Sequence, residues 1–254
     1  RIKQLKDLST LRFKEGDSLL SWLRLSSKDL LLLFTSIGKL YSLKVSDILQ
    51  TTGFGDPVQN LFKFEDGERL ISTKGIVTNG AKPKDNRSDL KTTSSNRIDN
   101  VVHGDLLAPT DLLLVILESG LGFRFKSELV ASMTTRNGKK VANLKESDAV
   151  LSINKVSKSY LFILTKRGYI LFYKIDEIPI LAGAGKGVKL ITLKEDDAIL
   201  AARIVNIDDK LLILVKGGKD IKIDLRKVDI SSRAKVGKKF VTGKKIAIGM
   251  TLIR

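Results

Sequence analysis

The sequence predicts an all-β fold built as a radial array of propeller-type blades. Three observations carry that reading. A pattern recurs about every fifty residues along the chain, its apolar runs have strand length, and a glycine ends each run. A period near fifty residues with about four strands per repeat is what a propeller blade requires.

Each repeat has four landmarks, the first an apolar strand closed by a Gly turn. Its versions are Leu30-Leu31-Leu32-Leu33-Phe34-Thr35-Ser36-Ile37-Gly38, Leu112-Leu113-Leu114-Val115-Ile116-Leu117-Glu118-Ser119-Gly120, Tyr160-Leu161-Phe162-Ile163-Leu164-Thr165-Lys166-Arg167-Gly168 and Leu211-Leu212-Ile213-Leu214-Val215-Lys216-Gly217-Gly218. Glycine supplies the positive φ of a tight hairpin turn. A returning strand follows, beginning at Lys39, Gly122, Tyr169 and Asp220. Its alternation predicts one face inside and one in water, with basic residues at several outward positions.

The third landmark is a Gly-rich or basic loop: Gly53-Phe54-Gly55-Asp56-Pro57, Arg136-Asn137-Gly138-Lys139-Lys140, Gly183-Ala184-Gly185-Lys186-Gly187-Val188-Lys189 and Arg233-Ala234-Lys235-Val236-Gly237-Lys238-Lys239. The fourth is an acidic turn: Lys14-Glu15-Gly16-Asp17, Glu65-Asp66-Gly67-Glu68, Lys145-Glu146-Ser147-Asp148 and Lys194-Glu195-Asp196-Asp197. The fourth repeat ends without one. The first acidic turn has no apolar strand before it, so residues 1–17 read as the tail of an incomplete blade. One long gap, from Gly38 to Gly120, holds residues 73–109, rich in polar and turn residues. That stretch reads as a surface-loop insertion with a short strand at Gly75-Ile76-Val77.

Composition narrows the function classes. A chain of 254 residues with 43% hydrophobic residues has enough apolar mass for a full core. No apolar run approaches the roughly 18 residues of a membrane span. With no cysteine and one histidine, His103, neither a disulfide framework nor a Cys/His metal site is expected. The chain opens on Arg1 and reads as a fragment of a longer protein, one expected in the cytoplasm.

Enzymatic chemistry finds little support. His103 lies in a loop-like segment without a triad. Glu195, Asp196 and Asp197 belong to a turn that recurs, so turn formation explains them better than a metal. Gly183-Ala184-Gly185-Lys186-Gly187 lacks P-loop spacing and suits at most a local phosphate contact. Trp22 reads as packing. Phe123, Phe125, Phe172 and Tyr173 have the strand spacing of core residues rather than of a base-stacking platform.

The basic residues are the stronger signal. The chain has 45 Lys and Arg against 28 Asp and Glu, a net charge of +17. Residues 216–245 alone carry 11 Lys and Arg and 3 Asp, nearly half of that excess. Matching positions of a radial array fall around one rim, where the natural ligand is a polyanion and the bland alternative a solvated, aggregation-blocking edge. The rim candidates are Lys39, Lys44, Arg124, Lys126, Lys166, Arg167, Lys174, Lys219, Lys222, Arg226 and Lys227. The loop candidates are Arg136, Lys139, Lys140, Lys186, Lys189, Arg233, Lys235, Lys238 and Lys239. Contacts from such a rim to double-stranded DNA would be mainly to phosphates, hence salt-sensitive and weakly sequence-specific.

The whole chain resembles the C-terminal domain of the A subunit of a bacterial type IIA topoisomerase. The marks are Phe34-Thr35-Ser36-Ile37-Gly38-Lys39, Leu164-Thr165-Lys166-Arg167-Gly168, Gly53-Phe54-Gly55-Asp56-Pro57, Gly185-Lys186-Gly187-Val188-Lys189-Leu190-Ile191 and Gly218-Lys219-Asp220-Ile221-Lys222, in that order and spacing. Gyrase A subunits carry a Gln-Arg-Arg-Gly-Gly-Lys-Gly box that supports tight chiral wrapping. The nearest pieces here, residues 184–189 and 233–239, lack its Arg-Arg-Gly-Gly core. Together with the Gly-x-Gly-Asp-Pro loop, that makes the A subunit of topoisomerase IV the better match.

The resemblance implies a single β-pinwheel domain over residues 1–254. That is a propeller-like disc of about five blades, the first incomplete, whose blades exchange strands. It implies DNA bent around a basic rim, without a cofactor, metal or catalytic residue in this domain. The implied partners are double-stranded DNA, the N-terminal breakage-reunion region of the same polypeptide and the ATPase subunit of a heterotetramer, in a nucleoid-associated setting with no membrane. The catalytic tyrosine of the family lies outside this chain, and Tyr41, Tyr160, Tyr169 and Tyr173 sit in repeat strands. The rivals are the gyrase version of the domain, a propeller that binds an acidic protein and, weakest, a propeller enzyme.

Overall fold

A computed structural model describes residues 13–49, 54–77, 102–103 and 105–253. The fold is all-β. In chain order the strands are β1 (Ser21–Trp22), β2 (Leu30–Thr35), β3 (Lys39–Lys44), β4 (Leu70–Ile76), β5 (Val102–His103), β6 (Asp105–Leu107), β7 (Leu112–Leu117), β8 (Leu121–Lys126), β9 (Lys139–Lys140) and β10 (Val150–Lys155). They continue as β11 (Tyr160–Thr165), β12 (Tyr169–Lys174), β13 (Ile180–Leu181), β14 (Val188–Lys189), β15 (Ile199–Val205), β16 (Lys210–Lys216), β17 (Ile221–Asp224), β18 (Lys238–Lys239) and β19 (Ile246–Ile253). The chain divides into two compact units, residues 1–111 with 127–141, and residues 112–126 with 142–254.

Unit one holds the sheet β6-β4-β2-β3-β9 and the short parallel pair β1–β5. Unit two holds three sheets: β10-β7-β8-β13 with β14 also on β8, β15-β11-β12-β18, and β17-β16-β19. These four sheets are the four repeats. Each centres on an antiparallel hairpin, β2–β3, β7–β8, β11–β12 or β16–β17. The turn glycines Gly38, Gly120 and Gly168 have positive φ, and in the fourth repeat the positive φ falls on Gly217. A third strand joins each hairpin with a register shift at the turn end, at Phe34/Thr35, Val150/Ser152, Leu164/Thr165 and Leu214/Val215. One extra residue there bends the strand and raises its twist.

The four acidic turns form as expected, each closed by an amide donating to the carbonyl three residues back: Asp17 to Lys14, Glu68 to Glu65, Asp148 to Lys145 and Asp197 to Lys194. The repeat strands differ from expectation in one respect. The returning strands β3, β8 and β12 are buried at their four central positions, with no watery face. The reason lies in how alternation is used. In unit two, Leu161 and Ile163 of β11 join Leu114 and Ile116 of β7 in one core cluster, while Phe162 and Leu164 join Leu211 and Ile213 of β16 in another. Period two therefore sorts residues between two cores. Phe123, Phe125, Phe172 and Tyr173 are all buried, as read from the sequence.

The Gly-rich and basic loops of the later repeats fold back onto the preceding repeat's outer strand. β9 pairs with β3, β14 with β8 and β18 with β12, each over two residues. This is the strand exchange of a pinwheel. The loop glycine before each strap has positive φ at Gly138, Gly187 and Gly237. At Gly187 a Cβ would stand 2.7 Å from the Gly122 carbonyl oxygen, so glycine there serves backbone approach. The glycines that look faintly like a phosphate loop thus seat a strand.

The insertion is narrower than residues 73–109. Residues 73–76 belong to β4 and residues 105–107 to β6, which pair in parallel from Lys74↔Asp105 to Ile76↔Leu107. The Lys74 ammonium, 2% exposed, meets the Asp105 carboxylate at 2.8 Å and fixes that pairing. The interior of the insertion, residues 78–101 and 104, lies outside the described residues, as do residues 1–12 of the opening tail and Gly53.

Candidate nucleic-acid interface

The last residue of the outer strand is an exposed lysine in three blades: Lys44 on β3, Lys126 on β8 and Lys174 on β12. Each leads directly into a 3-10 turn. The alternation stops there, and the chain leaves the core on an exposed cationic residue. The fourth blade has Asp224 at this place instead. Arg226 grips Asp224 through two hydrogen bonds, at 2.9 and 2.6 Å, and holds its carboxyl down at a pKa of about 2.

The straps add a second set. Lys139, Lys140, Lys189, Lys238 and Lys239 are exposed on the two-residue strands. Register sets Lys39 opposite Lys140 in unit one and Tyr169 opposite Lys239 in unit two. Like charges directly opposite destabilise a ladder unless an anion intervenes. Part of this charge is answered internally: Lys39 pairs with Glu65 at 2.6 Å, and the Lys139 ammonium donates to the Leu129 carbonyl at 2.7 Å.

Around Tyr169 the cations converge. The Lys194 and Lys239 ammoniums lie 4.8 and 5.0 Å from the ring centre, and Lys239 also donates to the Arg167 carbonyl. A hydrogen bond from Lys194 holds the phenol below its ordinary value, with the charges of Lys239 and Arg167 adding to the effect. Lys194 is not among the sequence candidates. Its signal is position, since it opens an acidic turn and reads there as turn chemistry.

One candidate is corrected outright. Arg124 is 6% exposed and its guanidinium is spent inside unit two. Nε donates to the Ile178 carbonyl at 2.8 Å, and Nη1 reaches the Asp176 carboxylate at 2.8 Å. As the middle residue of a strand buried on both faces, it ties down the segment after β12 and leaves no donor face for a ligand.

Other candidates are exposed yet anchored. Arg136 donates to the Leu61 and Asn60 carbonyls, and Arg167 to the Glu195 carbonyl. Arg233, half-buried, donates to the carbonyls of Glu177 and Lys189. Lys166, Lys186, Lys219, Lys222, Lys227 and Lys235 are exposed, and Lys238 stands 4.0 Å from Asp229. The acidic turns do structural work: Asp197 accepts the amides of Arg167 and Ala198. Among the described residues no group of three His, Cys, Asp or Glu could hold a metal ion, and no helix is long and apolar enough to cross a membrane. Chemically, each unit offers exposed ammonium groups on its strand ends, suited to anions.

Comparison with known proteins places this geometry. The chain is 28% identical over 251 residues to the A subunit of DNA gyrase from Mycobacterium bovis, covering 88% of this chain and 30% of that protein. It is 24% identical over 229 residues to the A subunit of DNA topoisomerase 4 from Bacillus subtilis, covering 88% of this chain and 25% of that protein. The chain thus spans a third or less of the length of these relatives. Among solved structures, the C-terminal domain of DNA topoisomerase IV superposes with a TM-score of 0.74 at 20% identity, covering 96% of this chain and 69% of that one. The E. coli ParC C-terminal domain gives 0.71 at 18% identity, covering 96% and 89%. A profile of the family described as DNA gyrase C-terminal domain, beta-propeller, matches residues 29–74, 111–157 and 159–206, more than half of the chain. The central hairpins of three of the four blades fall within those segments, and the chain belongs to this family of C-terminal domains of type IIA topoisomerase A subunits.

Proposed function

We propose that this chain is the non-catalytic DNA-binding and DNA-bending domain of the A subunit of a topoisomerase IV. As one pinwheel domain it holds a duplex for strand passage, relaxation and decatenation by the rest of the enzyme. The observation that carries the reading is the exposed lysine at the same strand end of three blades, Lys44, Lys126 and Lys174, seconded by the strap lysines. Bending a site of 20–30 base pairs costs roughly 1–6 kcal/mol, which several phosphate contacts along a curved path offset. In this reading the domain works without a cofactor. Its partners are double-stranded DNA, the breakage-reunion region of the same polypeptide and the ATPase subunit of a heterotetramer.

The topoisomerase IV form is supported by the Gly-x-Gly-Asp-Pro loop and by the sequences that stand where a gyrase box would be sought, residues 184–189 and 233–239. The gyrase form is the second reading, favoured by the 28% identity to gyrase A subunits. Binding to a linear duplex across a salt series, with a bend-sensitive readout, tests the common part. Binding that falls steeply with salt and bends the duplex is expected; no binding at low salt would overturn it and favour an acidic protein as the partner. A topology assay on circular DNA separates the two forms, since a consistent writhe marks the gyrase form.

A further inference from the structure

In the second and third blades a carboxylate of the acidic turn accepts a backbone amide at the tip of the central hairpin, whereas in the first blade a tip hydroxyl accepts an amide of the turn. In the second blade Asp148 accepts the Ser119 amide at 3.1 Å and its hydroxyl at 2.6 Å. In the third, Asp197 accepts the Arg167 amide at 2.9 Å. In the first, the Ser36 hydroxyl accepts the Arg69 amide at 3.1 Å, while Glu68 turns inward to Tyr41. The acid always stands two residues before the partner of the hairpin's bulge residue: Glu68 before Leu70, Asp148 before Val150, Asp197 before Ile199.

The fourth blade breaks this rule. Its bulge pairs Val215 with Ala247, so the residue in the acid's place is Lys245, and the counterpart of Arg167 is Gly217. Lys244 and Lys245 lie directly against the turn. A Cβ on Gly217 would stand 2.9 Å from the Lys244 carbonyl oxygen, and one on Gly218 would stand 2.8 Å from the Lys245 Cε. Among the described residues no carboxylate accepts the Gly217 amide. The adjacent acid, Asp220, is turned to the Val215 amide at 3.0 Å. Lys216, Lys219, Lys244 and Lys245, all exposed, surround a turn whose equivalent amide is held by a carboxylate in two other blades.

We propose that this tip binds a tetrahedral oxyanion of the phosphate class, in the place that Asp148 and Asp197 fill in the second and third blades. A glycine turn offering a backbone amide, ringed by ammonium groups, is the chemistry of an anion nest. The oxyanion is either a phosphodiester of bound DNA or free inorganic phosphate. The first source rests on the function proposed above; the second does not.

Hydrogen–deuterium exchange on the full-length protein tests the site, comparing inorganic phosphate with chloride at equal ionic strength. At phosphate about ten times its dissociation constant, exchange limited by local opening slows roughly tenfold. That slowing is expected over residues 214–220 and not at the tips of the second and third blades. Lys245→Asp, which restores the internal carboxylate, is expected to exchange slowly in chloride already and to lose the phosphate response. Lys245→Gln, which removes the charge without adding a carboxylate, is expected to weaken the response without slowing the baseline. No phosphate effect at residues 214–220, or an equal effect in Lys245→Asp, would overturn the proposal. Weaker duplex binding by Lys245→Asp identifies the phosphodiester as the source; unchanged duplex binding with an intact phosphate response in the wild type identifies the free anion. A protein that binds no DNA yet keeps the phosphate response would sink the proposed function and leave this site standing.

Discussion

At the scale of single residues, charge and exposure part company. Arg124 and Lys126 are two positions apart on one strand and look alike in sequence, yet one is buried in hydrogen bonds and the other is exposed. Arg124→Ala strands the Ile178 carbonyl and frees Asp176. A loss of about 1–3 kcal/mol in urea unfolding is expected, with the salt dependence of duplex binding unchanged. Nothing in the local pattern could have separated the two, because burial of the middle position is decided by a segment arriving from about fifty residues later. Asp224 gives a second check. Arg226 depresses its carboxyl pKa, so the pair contributes above the ordinary carboxylate range and is lost as pH falls from about 4 towards about 2. A carboxyl NMR titration should show that low midpoint, and Arg226→Ala should return it to near 4.

At the scale of elements, the hairpins and turns were legible because their signals are local and repeated. Apolar runs of six residues, a glycine at each tip and an acid opening the next strand recur four or nearly four times, and the structure places a strand or turn at each. The straps were not legible as strands. Two paired residues carry no periodicity, and their partner is a backbone edge far away in sequence. Their glycines, read as loop or faint phosphate signals, turn out to mark close backbone approach. Gly187→Ala puts a Cβ against Gly122 and strains a φ of 76°. A cost of about 1–3 kcal/mol is expected in thermal or urea unfolding, with faster amide exchange along β8. The candidate interface was legible in part, since repeat position singles out Lys44, Lys126 and Lys174, all exposed at a strand end. The sequence shows which segments are basic, but the anchoring of Arg136, Arg167 and Arg233 on carbonyls depends on folded neighbours.

For the whole molecule, a net charge of +17 implies an affinity for polyanions that salt controls. If Lys44, Lys126 and Lys174 each touch a phosphate, each Lys→Glu change should reduce the slope of log affinity against log salt by about one, uniformly across duplex sequences. A triple change that left the slope intact would remove these strand ends from the interface.

The straps also set a clock. β3 is complete by Lys44, but the residues that cover its edge, Lys139 and Lys140, are translated about a hundred residues later. At roughly 5–20 residues per second that is about 5–20 seconds during which a nascent blade offers a bare strand edge to its neighbours on the same messenger. The exposed lysine at the end of that strand, Lys44, repels an identical edge through this interval. The charge proposed to meet a phosphate in the finished protein would also keep one newborn chain from templating on the next.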